Sequence, residues 1–140
     1  MTDETRAITV EREFPHKTDR VWRALTQPAL IAEWLMKTDF APEIGRAFTL
    51  TGEWGSVNSE VREIEQGRKL SYTWNAMGLE TVVTWTLTPT ERGTMLRMDQ
   101  TGFRKDQGMA YGGAKMGWPA LLDKLSATLD GMDKEGHSDA

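Results

Sequence analysis

Apolar and polar positions alternate with a two-residue period over residues 8–14, where Ile8, Val10, Arg12 and Phe14 share one face and Thr9, Glu11 and Glu13 the other. This is the pattern of a half-buried antiparallel strand, and Pro15 ends it by removing a ladder donor. The period then becomes helical. Thr18 or Asp19 can accept the free amides of a first turn, and Val21, Trp22 and Leu25 fall on one face. Pro28 breaks that helix and starts another, whose stripe is Leu30, Ile31, Trp34 and Leu35. Two short helices placed this early have no core of their own, so they must pack on something built later in the chain.

Beyond Phe40 the two-residue period returns in five successive segments. Phe48, Leu50 and Trp54 alternate in the first, bounded by Gly45, Gly52 and Gly55. Val57 and Val61 mark the second, where Ile64 falls on the opposite parity and implies a bulge or an early end. Leu70, Tyr72, Trp74 and Ala76 alternate in the third, and Val83, Trp85 and Leu87 alternate with Thr84, Thr86 and Thr88 in the fourth. In the fifth, Leu96 and Met98 point inward while Arg97 and Asp99 point out. Short turns between alternating segments predict one antiparallel meander.

A last helix carries Trp118, Leu121, Leu122, Leu125, Leu129 and Met132 at three- and four-residue spacing. Its start is not fixed by the pattern, because Gly112, Gly113 and Gly117 weaken a helix and Pro119 suits only a first turn or a kink. Residues 102–117 read equally as loop, frayed helix or mobile cover. The assembly is an α+β domain, a curved six-stranded antiparallel sheet with two short helices after the first strand and a long C-terminal helix on the same side. Residues 1–140 form one domain, with an ordered core over 7–132 and a charged, disordered tail over 133–140.

Composition narrows the function. There is no cysteine, which excludes disulfides, thiolate metal sites and a cysteine nucleophile. The net charge of −4 has both signs interspersed, so no basic surface awaits nucleic acid. No apolar run approaches a membrane span and no signal peptide is visible, so a cytoplasmic protein is expected. The only histidines, His16 and His137, are far apart in the chain, and neither a metal pair nor a serine–histidine arrangement is readily assembled from them. Glu60, Glu63 and Glu65 read as a solvated strand face, and no phosphate-binding glycine loop is present. No cofactor, no catalytic residue and no metal site is expected.

The run VEREFPHKTDRVWRALTQPALIAEWL resembles the opening of domains similar to the activator of heat-shock-protein-90 ATPase, in the START-like (SRPBCC, Bet v 1-like) superfamily. Gly45 and Phe48, the strand Leu70, Tyr72 and Trp74, residues 81–87, the group Gly93, Thr94 and Leu96, and the pair Gly117 and Trp118 continue the likeness over about residues 7–132. Two positions depart from it: Phe14 stands where members usually have alanine, and the Gly112–Gly113 pair is not a family feature. The resemblance implies the helix-grip fold, in which the long helix closes a sheet-lined cavity for lipids, polyketides or other hydrophobic ligands.

The chain has six tryptophans. Trp22 and Trp34 sit on stripes facing the sheet and read as core, whereas Trp54, Trp74, Trp85 and Trp118 face the space between sheet and long helix, where aromatic walls serve core or ligand alike. Met77, Met98, Met116 and Leu122 add apolar lining. Arg12 shares a face with core residues and must meet an acidic side chain, a carbonyl or a ligand anion. Tyr72 and Gln100 are its inward-facing polar companions. The expected function is non-enzymatic binding of a small hydrophobic molecule in the cavity, as a monomer or homodimer. The alternatives are a chaperone-associated interaction module, with a role in stress response, and a cyclase- or hydrolase-like enzyme using the same cavity.

Overall fold

The computed structural model describes residues 5–134 apart from 54 and 77. Trp54, Met77, His137 and the tail beyond residue 134 therefore lie outside the described residues. Strand β1 (Thr5–Phe14) leads into helices α1 (Thr18–Thr26) and α2 (Pro28–Trp34). Strands β2 (Lys37–Thr38), β3 (Ala47–Gly52), β4 (Gly55–Glu65), β5 (Lys69–Ala76), β6 (Leu79–Pro89) and β7 (Thr94–Arg104) follow, and α3 (Gly108–Lys134) is the last element among the described residues. All neighbours pair antiparallel in the order β1-β7-β6-β5-β4-β3-β2. The first strand thus joins the last, and the meander between them is continuous. This is the helix-grip arrangement, with seven strands where the sequence predicts six. The extra strand is the two-residue β2, too short to display any period.

Local chemistry explains the departures from a regular ladder. Between Val61 and Glu63 the register of β4 on β5 shifts, and the Glu60 amide is caught by Thr73 Oγ1 at 2.8 Å. That shift is why Ile64 breaks the parity of Val57 and Val61. A second bulge lies opposite Arg6 and Ala7, where Gly102 is the extra residue of β7. Past it the inward parity switches, so that Phe103 rather than Gly102 is buried. At the turn before β7, a Cβ on Gly93 would lie 2.2 Å from the Phe14 carbonyl oxygen and 2.6 Å from the His16 nitrogen. Only glycine lets the β6–β7 turn approach the β1–α1 corner this closely.

Pro28 occupies the first turn of α2 as its fixed φ suggests, but the cap of α1 differs from expectation. Lys17 holds the N-cap position with no side-chain cap bond, and the Thr18 hydroxyl turns instead to Thr94 Oγ1 at 3.2 Å. The Trp34 indole donates to the Ala24 carbonyl at 2.8 Å and ties the two short helices together.

Helix α3 is continuous across the glycine-rich segment and keeps Pro119 inside it. Trp118, Leu122, Leu125 and Leu129 are buried against the sheet and α2. Tertiary burial of this stripe overrides the weak local propensity of the glycines. Pro119 removes the donor for the carbonyl four residues earlier, that of Lys115, whose side chain is exposed.

Candidate functional site

The interior divides into a packed part and an open part. In the packed part Trp34 meets Trp85 edge-on at 5.7 Å, and Phe48 meets Phe40 and Tyr72 at 5.0 and 5.2 Å. These T-shaped contacts fill the space under α2 and the C-terminal half of α3. From Trp85 the aromatic chain continues to Trp118 at 5.6 Å and from there to Trp74 at 5.4 Å. Beyond these two rings the packing stops.

A cleft of about 980 Å³ begins there, between the end of the sheet and the N-terminal half of α3. The sheet supplies Trp74 and Ala76 from β5, Leu79 from β6 and Gln100 from β7. The helix supplies Ala110, Gly113, Ala114, Gly117, Trp118 and Leu121. Spacings of three and four place these on one helical face, and on it the glycines and alanines stand where large residues would touch the sheet. A Cβ built on Gly113 or Gly117 meets no atom within 4 Å. The cleft exists because those side chains are missing.

Gln107 braces the rim: its Nε2 donates to the Gly78 carbonyl at 3.2 Å and its Oε1 accepts the Arg104 amide at 2.8 Å. At the β1–β7 side of this sheet end, Tyr111 packs edge-on against Phe103 and lies under the Arg6 guanidinium. Asp106, at the mouth, faces Arg104 at 3.4 Å.

Three of the residues expected to line the cavity are in this wall: Trp74, Gln100 and Trp118. Tyr72, Trp85, Met98 and Leu122 are buried in the packed part instead and are not in this wall. They share the inward face of the sheet or helix, but α2 and the lower half of α3 cover them. The Trp85 indole donates to the Tyr72 hydroxyl at 3.0 Å, and burial pushes the Tyr72 phenol up to about 12 against the opposing pull of that hydrogen bond. Met116 is on the outer side of α3 and 81% exposed, because its place on the helix faces away from the sheet. Arg12 is not in the cleft wall. Its guanidinium bonds Asp123 Oδ1 at 2.6 Å and reaches the Pro119 carbonyl at 3.4 Å, so the acidic partner is a residue of α3. It fastens β1 to α3 just beyond the open half.

The sequence reading missed Ala76 and Leu79 on the sheet and, apart from Trp118, every lining residue over 106–121. The spacing of small residues ahead of Trp118 was the available signal. Among the described residues there is no cluster of three or more metal-ligating side chains, and no helix is long and apolar enough to cross a membrane.

Comparison with known proteins agrees with this architecture. Residues 15–130 match the family model described as activator of Hsp90 ATPase homolog 1-like protein. A protein of Mesorhizobium loti, MLL2253, is 52% identical over 89% of this chain and 97% of its own, with a TM-score of 0.87. The solution structure of BH1534 from Bacillus halodurans is 26% identical over 92% of this chain and 99% of its own, at a TM-score of 0.80. DynU16, described as a putative protein in the dynemicin biosynthetic locus, is 26% identical at a TM-score of 0.81, the match covering 89% of this chain and 47% of that one. No curated protein matches the chain at a significant level.

Proposed function

The chain belongs to the family of activator of Hsp90 ATPase homolog 1-like proteins, and from that premise we propose that it binds a small hydrophobic molecule, without chemical turnover, in the cleft between the sheet and α3. One observation carries the reading: an apolar space of about 980 Å³ flanked by Trp74 and Trp118 and roofed by glycine and alanine. Small-molecule sites are concave, mostly apolar and provided with few polar groups, and this cleft has that balance. Kinship with a protein of a biosynthetic locus is in keeping with a small organic ligand.

Native mass spectrometry of protein isolated from its own host tests the reading. A small molecule retained by the folded wild-type protein and absent from Gly117→Leu supports it. A bare polypeptide mass, together with no rise in melting temperature across a panel of apolar compounds, removes it.

A second reading, contact with a chaperone, is favoured by a different observation. Met116, on the outer side of α3 and outside the cleft wall, is 81% exposed, and an exposed apolar side chain on a folded surface suits a protein partner. Co-precipitation with the wild-type chain and with a Met116→Lys variant checks it. A chaperone enriched by the first and lost by the second is the expected outcome.

A further inference from the structure

Among the described residues Gln100 is the one buried carboxamide in the cleft wall, 1% exposed. A carboxamide has two N–H donors and two lone pairs on its oxygen. Its Oε1 accepts the Trp118 indole N–H at 2.8 Å. Its Nε2 donates to Thr81 Oγ1 at 2.9 Å, and that hydroxyl donates to the Trp74 carbonyl at 2.9 Å. The three bonds run in one direction. Turning the amide over would set its N–H against the indole N–H, donor against donor, so the orientation is fixed. One N–H and one lone pair are left over.

Charge decides what else the cleft accepts. None of its lining residues among those described is lysine, arginine or histidine. The one charged residue of the wall is Asp106, an exposed anion at the mouth that already faces Arg104. A carboxylate or phosphate carried to the inner end would lose its water and gain no counter-charge, and a buried cation would fare no better.

We propose that Gln100 selects the ligand: the occupant is an uncharged molecule with a flat apolar body against Trp74 and Trp118, and its inner end presents a carbonyl or hydroxyl oxygen to the spare Gln100 N–H. This rests on the cleft being a binding site and specifies the chemical class that the site takes. The carboxamide is held rigidly before the ligand arrives, so the bond costs little reordering. An alkyl group in place of that oxygen would leave the N–H buried and unpaired.

Three pyrenes of similar size test the assignment by equilibrium dialysis at neutral pH: acetylpyrene, ethylpyrene and pyrene carboxylate. The wild-type protein is expected to bind the ketone about three- to tenfold more tightly than the ethyl compound, the range of one net hydrogen bond, and the carboxylate most weakly. Gln100→Met equalises ketone and ethyl affinities. That variant also strips Trp118 and Thr81 of a partner and can lose stability, so a second measurement uses only the wild-type chain: the infrared carbonyl band of bound acetylpyrene shifts to lower wavenumber than in hexane. Equal ketone and ethyl affinities with an unshifted carbonyl band overturn the role of Gln100 and leave the binding cleft standing. Tightest binding of the carboxylate overturns it too. If none of the three binds, the cleft reading falls along with it.

Discussion

Tyr72 and Arg12 show how little of a side chain's role is contained in its parity. Both face inward by alternation, yet Tyr72 is sealed under Phe40 and Phe48 while Arg12 reaches the edge and takes a partner 111 positions away. No local pattern carries that pairing. The Tyr72 phenol is raised in the folded state to about 12 from its ordinary value of 10.0. Below the unfolded value both states keep the proton, and above it the unfolded chain releases the proton first. Stability is therefore fully present below about pH 10 and falls by about 2 to 3 kcal/mol as pH rises toward 12. Chemical denaturation as a function of pH should show this fall in the wild-type chain and a shallower one in Tyr72→Phe, which at neutral pH costs about 1 to 3 kcal/mol by leaving the Trp85 indole unpaired. Arg12→Ala should cost no more than about 1 kcal/mol, since its partner Asp123 is 74% exposed. Ligand affinity should stay unchanged in that variant, which a carboxylate anchor would not allow.

Helix α3 has two halves with different duties. Residues 118–132 carry the leucine stripe that the sequence displays openly, whereas residues 108–117 are helical although their glycines argue against it. The sequence left the N-terminal half open because propensity is a local quantity and the support here is tertiary: the Tyr111 contacts and the rim bonds of Gln107. A glycine-rich stretch was legible as weak helix, but its deeper meaning was a helix face stripped of side chains. Gly113→Ala should raise stability by up to about 1 kcal/mol, because a Cβ there meets nothing within 4 Å and helix propensity improves. Gly113→Leu should fold as well as wild type while losing ligand, a separation visible by comparing melting temperature with dialysis.

The whole molecule was legible as a fold because every long element advertises its period: six alternating strands, two proline-bounded helices and one amphipathic helix. The seventh strand escaped for want of length, and the cleft escaped in part because a void has no residues of its own. Its position depends on where packing stops, beyond Trp118 and Trp74, and only the assembled sheet and helix fix that. The contrast is measurable by urea denaturation. Leu125→Ala, at a fully buried position, should cost about 2 to 5 kcal/mol. Trp74→Ala, at a half-buried position on the cleft, should cost markedly less and abolish binding. The aromatic stack beneath α2 thus acts as a foundation that asks nothing of the chamber above it. On the helix side of that chamber Gly113 and Gly117 have open space where a Cβ would stand, so larger side chains there would reshape the hollow without disturbing the rings packed beneath it.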